Sequence, residues 1–118
     1  MNIEFSLAWY PVKDLTQAKK FYGEVLGLRK TFEMEGWSEF SHAEGAPSIG
    51  LTPRTGEESG ATVVLKVDDL DQARSVLMKR GVRFEGEVEE VPGVVRIATF
   101  RDPFGNRLQL VEALMQQP

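Results

Sequence analysis

The sequence predicts an α+β fold in which a βαβββ module occurs twice in tandem within one domain, at residues 1–52 and 61–118, with a linker at 53–60. Three observations predict it. Short runs of strand formers surround two segments of helical apolar spacing, in the same order each time. Each helical segment opens after an aspartate and closes at a glycine. The residues repeat as well: Val12–Lys19 (VKDLTQAK) lies over Val67–Arg74 (VDDLDQAR), with Val, Asp, Leu, Gln and Ala identical. Two copies are too few for a solenoid, so the pair forms one duplicated domain.

Residues 3–12 are rich in strand formers, with Pro11 marking a place where ladder bonding stops or lies at an edge. Asp14 caps a helix over residues 15–26, in which Leu15, Ala18, Phe21, Tyr22, Val25 and Leu26 recur at helical spacing. Gln17 stands three residues after the cap, and Gly27 supplies the left-handed residue at the end. Glycines and a proline then break the chain into strands at about 28–34, 37–42 and 47–52. Residues 53–60 are polar and turn-forming, which makes them the linker. In the second module a strand covers 61–67, and Asp69 caps a helix with apolar positions Leu70, Ala73, Val76 and Leu77 that ends at Gly81. Strands follow at 82–88, 94–100 and 107–111. Before the last, Asp102 and Pro103 open a tight turn, while Gly105 and Asn106 tolerate positive φ at its exit.

Composition limits the function classes. The 118 residues, 42% hydrophobic, suffice for one real core. Cysteine is absent, which excludes disulfides, thiolate metal sites and a cysteine nucleophile. The formal charge of −4 and the lack of a basic patch with interleaved aromatics argue against a nucleic-acid partner. No apolar run is long enough for a membrane span, and Met1–Glu4 lacks the features of a signal peptide, so the expectation is a soluble, cytoplasmic protein.

Three motifs in this order carry a family resemblance: Val12 to Leu15 before the first helix, Phe21–Leu28 (FYGEVLGL) at its end, and Asp102–Asn106 (DPFGN) before the last strand. Across nearly its whole length the chain resembles the vicinal oxygen chelate superfamily, which includes glyoxalase I, bleomycin-resistance proteins, fosfomycin-resistance enzymes and extradiol dioxygenases. The resemblance implies concave mixed sheets around a cavity, helices outside, and metal ligands in the metal-dependent members at four inward strand positions. Here those positions fall at Leu7, Gly50, Thr62 and Gln109. Leucine and glycine supply no donor, a threonine hydroxyl is a poor one, and only Gln109 offers a carbonyl oxygen. His42 is the single histidine, so a two-histidine, one-carboxylate iron site cannot be built within one chain. It reads as a surface histidine at a strand end. Strand alternation puts Glu112 on the side of Leu108 and Leu110, away from the vacant fourth position.

By the same alternation the inward face carries Phe5, Leu7 and Trp9 in the first strand, Thr62, Val64 and Lys66 in the fifth, and Arg107, Gln109 and Val111 in the last. With Gly50, this set is the expected ligand-binding surface: apolar walls with sparse polar groups. Closed core filler is the bland alternative for Phe5, Leu7 and Trp9, and reach to solvent at the rim is the bland alternative for Lys66 and Arg107. The resemblance to the metal-free bleomycin-resistance branch implies a metal-independent protein that sequesters an amphipathic or aromatic small molecule in a cavity at the interface of a homodimer, with no cofactor and no divalent metal. A metal-dependent glyoxalase-type lyase or isomerase is the alternative. Two further readings stay open: a metal-free enzyme using Lys66 as acid or base, and a purely structural module.

Overall fold

The computed structural model describes residues 1–56 and 60–114. The central part of the expected linker, residues 57–59, lies outside the described residues. The fold is α+β, with eight strands and two helical segments in the order β1 (Ile3–Val12), α1 (Leu15–Lys20), β2 (Arg29–Met34), β3 (Trp37–Ser41), β4 (Ser48–Pro53), β5 (Thr62–Val67), α2 (Leu70–Lys79), β6 (Phe84–Val91), β7 (Val95–Arg101) and β8 (Arg107–Ala113). Two compact units result: Ser6–Thr62, and Met1–Phe5 together with the chain from Val63 onward.

In the first unit β1 pairs parallel with β4, β4 antiparallel with β3, and β3 antiparallel with β2. In the second, β5 pairs parallel with β8, and β8 and β6 flank β7 in antiparallel register. The duplication visible in the residues extends to the helix starts. Asp14 and Asp69 share one backbone conformation, φ −134° in both, and each accepts a 3.0 Å hydrogen bond from the backbone N–H three residues on, at Gln17 and Gln72. Gly27 and Gly81 both take positive φ, 74° and 95°. That conformation suits a residue without Cβ.

The first helix departs from its expected form. Its α-helical part ends at Lys20, and Phe21–Val25 continues as one wide π-helical turn, closed by the N–H of Leu26 on the carbonyl of Phe21 at 2.9 Å. A π turn advances five residues per bond, which shifts the facing pattern away from 3.6-residue spacing. Tyr22 therefore packs on the sheet against Tyr10 and Phe40, while Phe21, Val25 and Leu26 stand 47, 70 and 51% exposed. Those three belong to the surface, not to the apolar face that the periodicity assigns them.

A core cluster of Val67, Leu70, Ala73, Ala98 and Leu110 joins α2 to its sheet in the second unit. Glu112 lies on that side as alternation predicts, accepting the N–H of Leu70 at 2.8 Å. The turn before β8 is tied by Asp102, whose carboxylate accepts from the backbone N–H of Phe104 and Asn106 and from the Asn106 amide. Of the two residues that tolerate positive φ at its exit, Gly105 takes it, at 91°. Asn106 serves as the donor to Asp102 instead, and it holds that carboxyl below its ordinary range.

Candidate functional site

The face of the first unit's sheet opposite α1 is set by strand register. Trp9 of β1 is opposite Gly50 of β4, Gly50 is opposite Glu39 of β3, and Glu39 is opposite Phe32 of β2. Because side chains alternate, Leu7, Trp37 and Ser48 share this face, two residues from their neighbours in the row. The other parity, with Tyr10, Phe40 and Leu51, turns to the helix side; Phe40 and Leu51 are buried there, and Tyr10 meets Tyr22.

Gly50 is the centre of this surface. A Cβ placed on it would lie 2.6 Å from Trp37 Cζ2 and 2.9 Å from Trp9 Cβ. Both are closer than carbon atoms approach, so the space above Gly50 already belongs to the Trp37 ring. Trp9 and Trp37 meet edge to face, 5.9 Å between centroids at 68°, a favoured aromatic geometry. The Trp37 indole N–H donates to Glu39 Oε2 at 2.7 Å, and the Ser48 hydroxyl donates to Glu39 Oε1 at 3.3 Å. Glu39 is partly buried and held on both oxygens. The result is an aromatic surface around one oriented carboxylate.

Trp37, Glu39 and Ser48 were not among the residues expected from sequence. The signal was present in β3, where Trp37 and Glu39 alternate with Ser38 and Phe40, but a five-residue strand gives both parities similar apolar content. Only the β3–β4 register assigns the tryptophan and the glutamate to the side of Gly50.

The expected residues fall as follows. Leu7 is nearly buried, opposite Ser48, and Trp9 is partly buried opposite Gly50. Phe5 is 52% exposed. Thr62 is fully buried and Val64 nearly so. Val64 is opposite Gln109, and Gln109 donates to Thr99 Oγ1 at 3.1 Å on the neighbouring strand. Val111 and Arg107 share that face, both partly buried. Lys66, opposite Val111, is exposed. Its long side chain reaches water. His42 is exposed just beyond β3.

The four positions at which the family resemblance places metal ligands fit a divalent ion poorly. Leu7 has no donor, the space a side chain would need at Gly50 is filled by the Trp37 ring, Thr62 offers only a hydroxyl, and the carbonyl oxygen of Gln109 by itself does not make a site. Among the described residues, no three His, Asp or Glu side chains are grouped so as to hold a metal ion.

The glyoxalase/bleomycin resistance protein/dioxygenase superfamily model matches residues 5–110, nearly the whole chain. The chain belongs to that superfamily. No curated protein sequence matches it. Among solved structures of the superfamily's fold, methylmalonyl-CoA epimerase from Mycobacterium tuberculosis is similar at 24% identity and TM-score 0.77, over 93% of this chain and 87% of the epimerase. Homoprotocatechuate 2,3-dioxygenase from Brevibacterium fuscum is similar at 22% identity and TM-score 0.70, over 99% of this chain but 39% of the dioxygenase. A superfamily member from Vibrio splendidus is similar at 13% identity and TM-score 0.67, over 94% of this chain and 97% of that one. At these identities the likeness establishes the superfamily fold, and chemistry has to be argued from the residues.

Proposed function

We propose that this superfamily member is a metal-independent binder of a flat aromatic or amphipathic small molecule, taken up on the sheet face around Trp9, Trp37 and Glu39. One observation carries the reading: the Trp37 ring is seated over Gly50 and hydrogen-bonded to Glu39, where the resemblance expects a metal ligand. Filling that space with indole replaces a donor by an apolar wall. The oriented carboxylate supplies the sparse polar contact that sets a ligand's direction.

Titration of the chelator-treated protein with quinoline, followed by tryptophan fluorescence, tests this. The expected result is saturable quenching that W37A weakens about tenfold or more, as loss of an aromatic anchor does. Absence of saturable quenching at millimolar quinoline would contradict it.

The reading includes a homodimer. Phe21, Val25 and Leu26 expose large apolar side chains along one short segment, and such groups favour coverage by a partner surface. Sedimentation equilibrium at micromolar concentration should give twice the 13.2 kDa chain mass, and V25E should lower it. A wild-type monomer would remove this part of the proposal. No helix among the described residues is long and apolar enough to cross a membrane.

A further inference from the structure

The charge state around Glu39 points to the kind of molecule this face takes. Resting on the binding reading above, we infer that the ligand is a planar organic cation with N–H donors, such as an aryl amidinium or a protonated heteroaromatic amine, and that Glu39 is the residue selecting it.

Four observations converge. Both groups that hold Glu39, the Trp37 indole and the Ser48 hydroxyl, are neutral, so they orient the carboxylate without cancelling its charge. A carboxylate has about four acceptor sites, and these bonds use one on each oxygen. Acceptor capacity therefore remains on both. Among the described residues Glu39 has no ion-pair partner, whereas Glu33, Glu85, Asp71 and Glu112 each lie beside a lysine or arginine. Those carboxylates each have a neighbouring cation to offset their charge, and among the described residues Glu39 has none.

The surroundings complete the argument. Glu39 is partly buried on a face with two tryptophan rings, and an unpaired charge near apolar surface costs free energy that a cation would recover. Tryptophan faces attract cations, and a flat body gives the rings area to cover. An anion would meet like charge at Glu39, and a neutral ligand would leave its charge unpaired. The chain's formal charge of −4 favours cation approach in the same sense.

Calorimetric titration with three probes of one shape, benzamidine, benzamide and benzoate, tests the inference on wild type and E39Q. Benzamidine is expected to bind wild type about ten- to a hundredfold more tightly than benzamide, the usual gain from a charge-assisted hydrogen bond. Benzoate should bind most weakly. In E39Q, which keeps an oxygen for the Trp37 N–H, the preference for benzamidine over benzamide should disappear. Equal wild-type affinities for benzamidine and benzamide, a preference for benzoate, or a preference surviving in folded E39Q would overturn the inference while leaving the binding reading standing. If none of the three probes binds wild type while quinoline does, the inference falls and the binding reading stands; if quinoline fails as well, both fall. The wild-type comparison decides by itself, so a folding defect in E39Q does not rescue the claim.

Discussion

Gly50 shows how much one missing side chain can decide. Strand alternation places it on the same face as Trp9, but nothing in the sequence tells that a ring from the neighbouring strand lies across it. That information is in the register of β3 on β4, which is a tertiary property. G50A should therefore destabilise the protein by about 1–3 kcal/mol through overpacking, measurable by urea unfolding. Pairing it with W37A should recover part of the loss, because the clash is with that ring. Tyr10 offers a second test at this scale. Burial, then its hydrogen bond to Tyr22, pushes the Tyr10 phenol from 10.0 up to about 12. The protonated form is the one favoured by folding, so this stabilisation is full below pH 10 and is lost as pH rises through about 12. Alkaline difference absorbance should show a phenol ionising near the higher value, and Y22F should lower that midpoint without abolishing the effect of burial.

The elements were unequally legible. Helix starts could be read because a cap is local chemistry: Asp14 and Asp69 act within three residues of themselves, and both are found as expected. D69A should cost about 1 kcal/mol in thermal or urea unfolding, the usual loss of an N-cap. The end of the first helix was not legible, since the apolar positions through Leu26 suit an α-helix and the wide turn from Phe21, which seats Tyr22 on the sheet, has no local signal in the residues. Strand β3 was legible as a strand but not in its facing, which is why Glu39 was missed. On the opposite side of the same sheet, Glu33 holds α1 to β2. Hydrogen bonds from Lys19, then Lys30, then Ser38 keep its carboxyl at about 2 in place of 4.5. A lowered folded value means that the stabilisation is fully present above pH 4.5, declines as pH falls, and is gone below about 2. E33Q should thus be less stable than wild type at neutral pH, with the difference closing between pH 4.5 and 2 in denaturant titrations.

At the scale of the whole molecule, the duplication was the most readable property, because order, caps and closing glycines repeat together and each repeats for a local reason. Superfamily membership followed from the same motifs, above all the turn at Asp102–Asn106, whose hydrogen-bonding pattern is contained within five residues. Function was less legible. The donor-poor set at Leu7, Gly50, Thr62 and Gln109 could be read as an argument against a metal, but the proposed ligand surface draws on β1, β3 and β4 at once. No local pattern encodes a row assembled across three strands. Calorimetry with quinoline on chelator-stripped protein, and on the same protein reloaded with zinc or manganese, tests whether this face binds a flat small molecule with no metal. The affinity is expected to be the same in both, with one site per chain. Binding that appears only after metal is restored would contradict it.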